Sequence, residues 1–381
     1  SNNLGSRVVV VRSRADTQLQ LASLQAFSDF GAQDLISSRL QQLDFSLNGA
    51  DGSLSPATLL TELHNSLQTY SASPSNSLLA SAAVQNAKDL ANALNDASAS
   101  IQSFKANSDL EIRQEVSELN RLLEGFQAAN SEITAGTQAG RNVSDALDTR
   151  DAILKDITKI VPVNVITREG NDVVLVTKGG ATLFETIPRL VTFESNAIYT
   201  QTTGGNPVRI DGVPVLGGEG ANTTASGTLA AMVQLRDDTA ADAQGQLDEI
   251  ARGLIASFAE SDATGLGQPP LAGLFTYPGA PPLPATGVLV PGLASEIEVN
   301  ALFDESQGGN ANLLRDGGAN GAVYAHNPGG AASFPDHLIS LVQSLDATAS
   351  FDGQTGIGGS MSLLSFATQS GGWLDGQRSE A

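Results

Sequence analysis

The chain has 381 residues, 41% of them hydrophobic and 5% aromatic, with one Trp and no Cys. This suits about two or three folded domains with aliphatic cores, and the missing cysteine excludes disulfides and thiolate metal sites. The 20 Lys and Arg against 41 Asp and Glu leave a net charge of −21, which repels phosphate backbones and anionic lipids, so neither nucleic acid nor membrane is an expected partner.

In chain order, Val8 to Val11 form a short β-like run. A helical pattern follows through Leu19, Leu24, Phe27 and Phe30, with Gly31 as an expected interruption, and continues to Leu43. After a Gly- and Asp-rich turn, Ser55 reads as an N-cap and Pro56 as the first helical position, with Leu59, Leu60, Leu63 and Leu67 as the buried face.

From residue 77 to about 133 the apolar residues step by threes and fours, as in a heptad seam: Ala87, Leu90, Leu94, Ala97, Ile101 and Phe104, then Ile112, Val116, Leu119, Leu123, Phe126 and Ile133. The rhythm breaks once, near Ser108. At ~1.5 Å per residue the spacing predicts a rod of roughly 80 Å, which needs a partner along most of its length. Gly136 to Gly140 ends it, and Ser144 is the expected cap of the next helix, over 145–160.

The period then changes. Val163 to Thr167, Asp172 to Thr177, Ala181 to Phe184, Leu190 to Phe193 and Ala197 to Thr200 read as strands, with hairpin turns at Glu169-Gly170-Asn171 and Lys178-Gly179-Gly180. Helical period returns near Ser226 through Leu229, Val233, Arg236, Ala240, Ala243, Leu247, Ile250, Leu254 and Phe258, a natural partner for the rod. Ile297 to Val299 is a short extended piece. Two further helices begin at Pro335 and near Ser360.

The expected architecture is mainly α with a β insert: an elongated, multi-domain chain whose long antiparallel helices form a coiled-coil-like bundle, plus a small antiparallel β domain. Residues 1–161, 223–264 and 331–381 make a discontinuous helical domain, 162–222 the β domain, and 265–330 a Pro- and Gly-rich irregular connector with short strands. Both ends read as cut from a longer chain.

The chemistry-bearing residues give no reactive constellation. His64, His326 and His337 lie outside any zinc spacing, and His64 reads as a solvated helix residue. There is no G-x-S-x-G elbow. Gly217-Gly218-Glu219-Gly220 lacks the Lys and Ser/Thr of a phosphate loop and reads as a crossover hinge. Asp304, Asp316 and Asp352 lie near glycines without the oxygen spacing of a calcium loop, and read as solvated. Asp148, Arg150 and Asp151 suit a helix-start cap with ion pairs at one-turn spacing better than a catalytic carboxylate pair. No catalytic residue, metal ligand or cofactor is expected.

The segment from Asn142 to Leu154 resembles the N-D-L-L-D-x-R-D-x-L stretch of the flagellar hook-associated protein 1 family, with Asp145, Leu147, Asp148, Arg150 and Asp151 in matching places. Ile157 to Val165 is similar to that family's exit from helix into β domain. Ser226-Gly-Thr-Leu with Arg236-Asp237 is similar to its G-x-L-x-x-L-x-x-x-R-D helix, and the stretch from Trp373 to Ala381 to the lead into its terminal helix. The order of these motifs also matches. Set against that family, the sequence is expected to lack its terminal helical segments and the outer third domain of some members, whose place the Pro-rich stretch 265–292 would take.

The resemblance implies a structural, non-enzymatic subunit joining hook to filament outside the cell, assembled in a helical array after type III export. Its implied partners are copies of itself, the hook protein, the second hook-associated junction protein, and an export chaperone that binds the missing C-terminal segment. Without the terminal helices, the chain is expected to be largely monomeric. The alternatives are another axial flagellar protein, either the second junction protein or a flagellin, and a secreted adhesin or binding module on a helical stalk.

Overall fold

A computed structural model describes residues 3–217, 226–280 and 282–380. The fold is mainly α with a β insert, as the periodicities predict. Helix α1 (Asn3–Asn48) runs unbroken, so the valines at 8–11 are helical rather than extended, and Gly31 does not interrupt the helix. β-branched residues lose only a little helix propensity, and a long helix absorbs that cost. Helix α2 (Pro56–Ala72) begins as its sequence predicts: the Ser55 side chain accepts from the Thr58 N–H and Pro56 fills the first turn.

Helix α3 (Ser77–Gln138) is the 62-residue rod, capped by the Asn76 side chain. Helix α4 (Ser144–Ile160) follows. Its start is not capped by Ser144. The Asn142 carboxamide oxygen accepts from the Ser144 N–H at 3.0 Å and from its hydroxyl at 2.7 Å, so the capping oxygen comes from two residues upstream.

Strands β1 (Val163–Thr167), β2 (Val173–Thr177) and β3 (Thr182–Phe184) form one antiparallel sheet in the order β1-β2-β3. Strands β4 (Val191–Thr192), β5 (Val208–Ile210) and β6 (Val213–Leu216) form a second. Residues 197–200 are not a strand. They belong to an irregular loop whose polar groups are bonded individually, and the strands β5 and β6 lie further on. Asp211 and Gly212 both have positive φ, at 50° and 81°, the left-handed pair that a two-residue hairpin requires. Pro214 is tolerated because β6 is an edge strand.

The second long helix comprises α5 (Gly227–Gln234), a π turn (Leu235–Thr239) and α6 (Ala240–Ser257). Of the glycine run at 217–220, only Gly217 falls within the described residues. Beyond α6, β7 (Phe275–Thr276), α7 (Leu293–Glu296), β8 (Glu298–Val299) and α8 (Leu313–Asp316) are short pieces, and β7 pairs antiparallel with β8. Helix α9 (Asp336–Asp346) leads into a hairpin of β9 (Thr348–Phe351) and β10 (Gly359–Ser362). The last helix, α10 (Leu363–Glu380), starts only after that hairpin.

Two apolar cores are strung along α3. The first joins α3 from Ala80 to Phe104 with Leu40, Leu43 and Leu47 of α1, and with α2, α6, α9 and α10. Phe275, Leu293, Phe303 and Leu314, from the segment between α6 and α9, are buried in the same core. The second joins α3 from Ile112 to Phe126 with α4, α5 and the inner faces of both sheets. Phe126 of the rod meets Phe184 of β3 edge-on, ring centroids 5.1 Å apart. Fully burying an aliphatic side chain stabilises by about 1.5–3 kcal/mol, so each core outweighs the weak propensity of its segments.

Candidate functional site: buried polar joints along the rod

The break in the apolar rhythm of α3 has a structural cause. Lys105, Ser108 and Asp109 are buried there, opposite the π turn. An isolated buried charge is costly, so each must find compensating partners.

Arg236, on the π turn, is 0% exposed and Asp109 is 1% exposed. The Arg236 guanidinium donates through Nη1 to Asp109 Oδ1 at 2.8 Å, and through Nε and Nη2 to the two Asp237 oxygens at 2.7 Å each. Nη2 also donates to the Asn206 carbonyl at 3.0 Å. The remaining capacity of Asp109 is filled by the Tyr199 hydroxyl at 2.8 Å and the Asn196 N–H at 2.7 Å. Lys105 Nζ reaches the Thr203 carbonyl at 2.8 Å. The Phe193 ring lies under the guanidinium, 5.7 Å from its carbon.

Burial opposes the charge on Arg236, but the adjoining Asp237 and Asp109 carboxylates more than offset it and hold the group above its ordinary pKa. Burial pushes the Tyr199 phenol up and the Lys105 ammonium down. The cluster therefore joins the middle of the rod, the π turn, and the loop from Phe193 to Asn206 that links β4 to β5.

A second joint lies toward the end of the rod. Of the resemblance residues on α4, Arg150 is buried, Leu147 is half-buried, and Asp145, Asp148 and Asp151 are exposed. The Arg150 guanidinium feels the carboxylates of Asp151, beside it on α4, and of Asp172. It turns inward and donates to Asn130 Oδ1 of α3 at 2.9 Å and to the Asn171 carbonyl at 2.6 Å. Asn130 in turn donates to Asp172 at 2.7 Å. Arg150 thereby ties α3, α4 and the turn between β1 and β2, and burial lowers its pKa.

The remaining sequence candidates lie apart from these joints. Trp373, on α10, is half-buried against the first core. The three loop aspartates are held by protein donors rather than simply solvated. Asp304 is buried and bonded to Lys88, Ser306 and Gln307, Asp316 accepts from Arg315 and Asn327, and Asp352 accepts from the Gln354 N–H. His64 lies 3.3 Å from Asp346. His326 and His337 stack with ring centroids 4.2 Å apart and planes at 10°. In parallel stacked rings the nitrogen lone pairs point along parallel planes, so one ion cannot sit on both. Among the described residues no group of three or more His, Asp or Glu is placed to hold a metal ion, and no helix is long and apolar enough to cross a membrane.

Sequence reasoning missed a set of buried carboxylates that fasten the loops around α6. Asp248 accepts from the Gly292 and Ala294 N–H groups, both at 2.8 Å. Glu249 accepts from Arg252 and from the Asp352 N–H. Glu260 accepts from the N–H groups of Ala319 and Asn320. The available signal was a helix carrying Gln244, Asp248, Glu249 and Arg252 among its apolar positions, which is more polar side chains than one solvent face accommodates.

Comparison with known proteins accords with this architecture. Residues 40–273 match the helical domain of the flagellar hook-associated protein FlgK. No curated protein matches the chain. The flagellar hook junction protein FlgK from Burkholderia pseudomallei shares the fold, with a TM-score of 0.52 and 19% identity over 67% of this chain. The match spans 46% of that protein, so this chain covers less than half of its length. With its long rod, its β insert and more than half of its residues within that helical domain, the chain belongs to the FlgK family of flagellar hook-associated proteins.

Proposed function

We propose that the chain is a structural subunit joining hook to filament in the bacterial flagellum, outside the cell. The observation that carries this reading is the match of residues 40–273 to the FlgK helical domain. In this reading the protein is exported by the type III route and assembles in a helical array. It contacts further copies of itself, the hook protein and the second hook-associated junction protein, and an export chaperone binds it through a C-terminal segment. It catalyses no reaction.

The domain reading proposed with it assigns 162–222 to a β domain. The helical domain is drawn from 1–161, 223–264 and 331–381, with 265–330 as the connector. Asp145, Leu147, Asp148, Arg150, Asp151, Arg236, Asp237 and Trp373 serve structure rather than chemistry. The hydrogen bonds of Arg150 and Arg236 support that role, because both guanidinium groups bond to partners within the chain.

The test is complementation of a strain deleted for its junction protein with the full-length gene, read by imaging the cells. Filaments restored on existing hooks are expected. Bare hooks, with flagellin lost to the medium, would overturn the junction role and favour another axial protein or a secreted adhesin.

A further inference from the structure

The two apolar cores meet at a polar layer. On α3 the first core ends at Phe104 and the second begins at Ile112, with buried Lys105, Ser108 and Asp109 between them. On the facing helix the second core ends at Val233 and the first begins at Leu235, where the π turn starts. A π turn inserts one residue into the helical repeat and so rotates the following stripe by about 100°. Both long helices therefore change their buried face at the same level.

The loop over 193–206 crosses this level. It leaves β4 in the second core, and its Gln201 side chain lies against Gly292, beside Leu293 of the first core. The loop contributes little apolar burial of its own: Tyr199 is buried, but Ile198 is 76% exposed. Its attachments at the layer are polar, namely Asn196 N–H and Tyr199 hydroxyl to Asp109, Thr203 carbonyl to Lys105, and Asn206 carbonyl to Arg236.

We propose that the Asp109–Arg236 layer is a clasp that closes the 193–206 loop as a strap over the junction of the two cores, and so makes them unfold and move as one unit. Apolar contact alone would let each core close separately on the shared helices. A charge layer with fixed hydrogen-bond geometry favours one register of α3 against the π turn, since a slip by one residue takes the buried Asp109 carboxylate away from its counter-ion, although Arg236 keeps Asp237. The strap adds a covalent tie from the β4–β5 sheet to the same point. This role is independent of what the whole protein assembles with.

The test uses the 381-residue chain, with calorimetric unfolding and amide hydrogen exchange on three proteins: the wild type, an Asp109→Leu/Arg236→Met double variant and Tyr199→Phe. Replacing both partners of the buried pair by apolar groups of similar size avoids an unpaired charge at either position, while Asp237 is only partly buried and Lys105 keeps the Thr203 carbonyl. The wild type is expected to unfold in one transition. The double variant is expected to unfold in two, with exchange at Asn196, Thr200 and Thr203 at least tenfold faster. Tyr199→Phe removes one bond to the clasp and is expected to accelerate exchange at the same amides several-fold while both cores keep wild-type protection. Two transitions in the wild type would overturn the proposal. So would a single transition with unchanged strap exchange in the double variant. If the double variant does not fold, unchanged strap exchange in Tyr199→Phe overturns it, and selective loss there supports it.

Discussion

The guanidinium of Arg236 occupies the space that a β-carbon on Gly205 would need. A buried charge layer thus depends on a glycine in the strap, which the strap sequence Thr-Thr-Gly-Gly-Asn provides at 202–206. Gly205→Ala must displace either the strap or the guanidinium. Overpacking of this kind costs about 1–3 kcal/mol, more if the ion pair opens. Denaturant unfolding should show a loss of about 2–4 kcal/mol, and a change below ~0.5 kcal/mol would mean the strap shifts freely.

Gly227 makes a second prediction. Its φ is +76°, and a β-carbon there would lie 2.5 Å from the Ile160 carbonyl oxygen. The obstacle is backbone at the end of α4, so no side chain can rotate away. Gly227→Ala should cost about 2–4 kcal/mol, measurable as a lowered unfolding midpoint. A wild-type midpoint would show that α5 begins in another conformation.

Arg150→Met retains much of the aliphatic bulk but strands Asn130 Oδ1 and the Asn171 carbonyl. Asn130 is buried, whereas Asn171 is exposed and its carbonyl has water within reach, and an unsatisfied buried acceptor costs about 1–3 kcal/mol. The expected loss is about 1–3 kcal/mol, together with faster amide exchange around 169–173. Asp148→Asn, on the exposed side of the same helix, should stay within about 0.5 kcal/mol. Equal losses for the two variants would contradict the inward role of Arg150.

The His326–His337 stack predicts a pH dependence. Burial, with the neighbouring His326 imidazole adding to it and Asp316 opposing it, pushes His337 down from 6.5 to about 4. The folded state therefore binds its proton less readily than the unfolded chain. The stability that follows is fully present above pH 6.5 and is lost as the pH falls toward 4, where it levels off. His337→Phe keeps a ring on His326 and removes this titration. Between pH 7 and pH 4 the wild type should lose on the order of 2–3 kcal/mol more than the variant, and parallel profiles would exclude the effect.

The helical frame was legible because apolar residues at spacings of three and four leave few alternatives: Leu60, Leu63 and Leu67 in α2, or Leu90, Leu94 and Ile101 in α3, all reach zero exposure. Val8 to Val11 misled because local β preference says nothing about the helix on its C-terminal side. The hairpin of β5 and β6 carried a readable signal, Asp211-Gly212 between Val-Arg-Ile and Val-Pro-Val-Leu, but three-residue strands show too little alternation to stand out. The buried joints were half legible. Arg236 falls on the apolar stripe of its helix and Asp109 beside the break in the other stripe, yet pairing a charge with its counterpart 127 positions away needs the fold. Arg150 could not be read at all, since exposed and buried arginines look alike beside Asp148 and Asp151.

The rod also sets the order in which the molecule can be completed. Ser98 of α3 meets Gln244 of α6 across 146 residues of chain, and the second half of the rod must wait for strands and for α5. Contacts this remote are slow to form and carry a large loop-closure cost. During synthesis α1 and α2 are beside the first part of the seam from the start and α4 follows directly for the second, but the positions that face α6 stay open until residue 244 has been made. That open face of a single long helix is the stretch exposed to aggregation while the chain is completed.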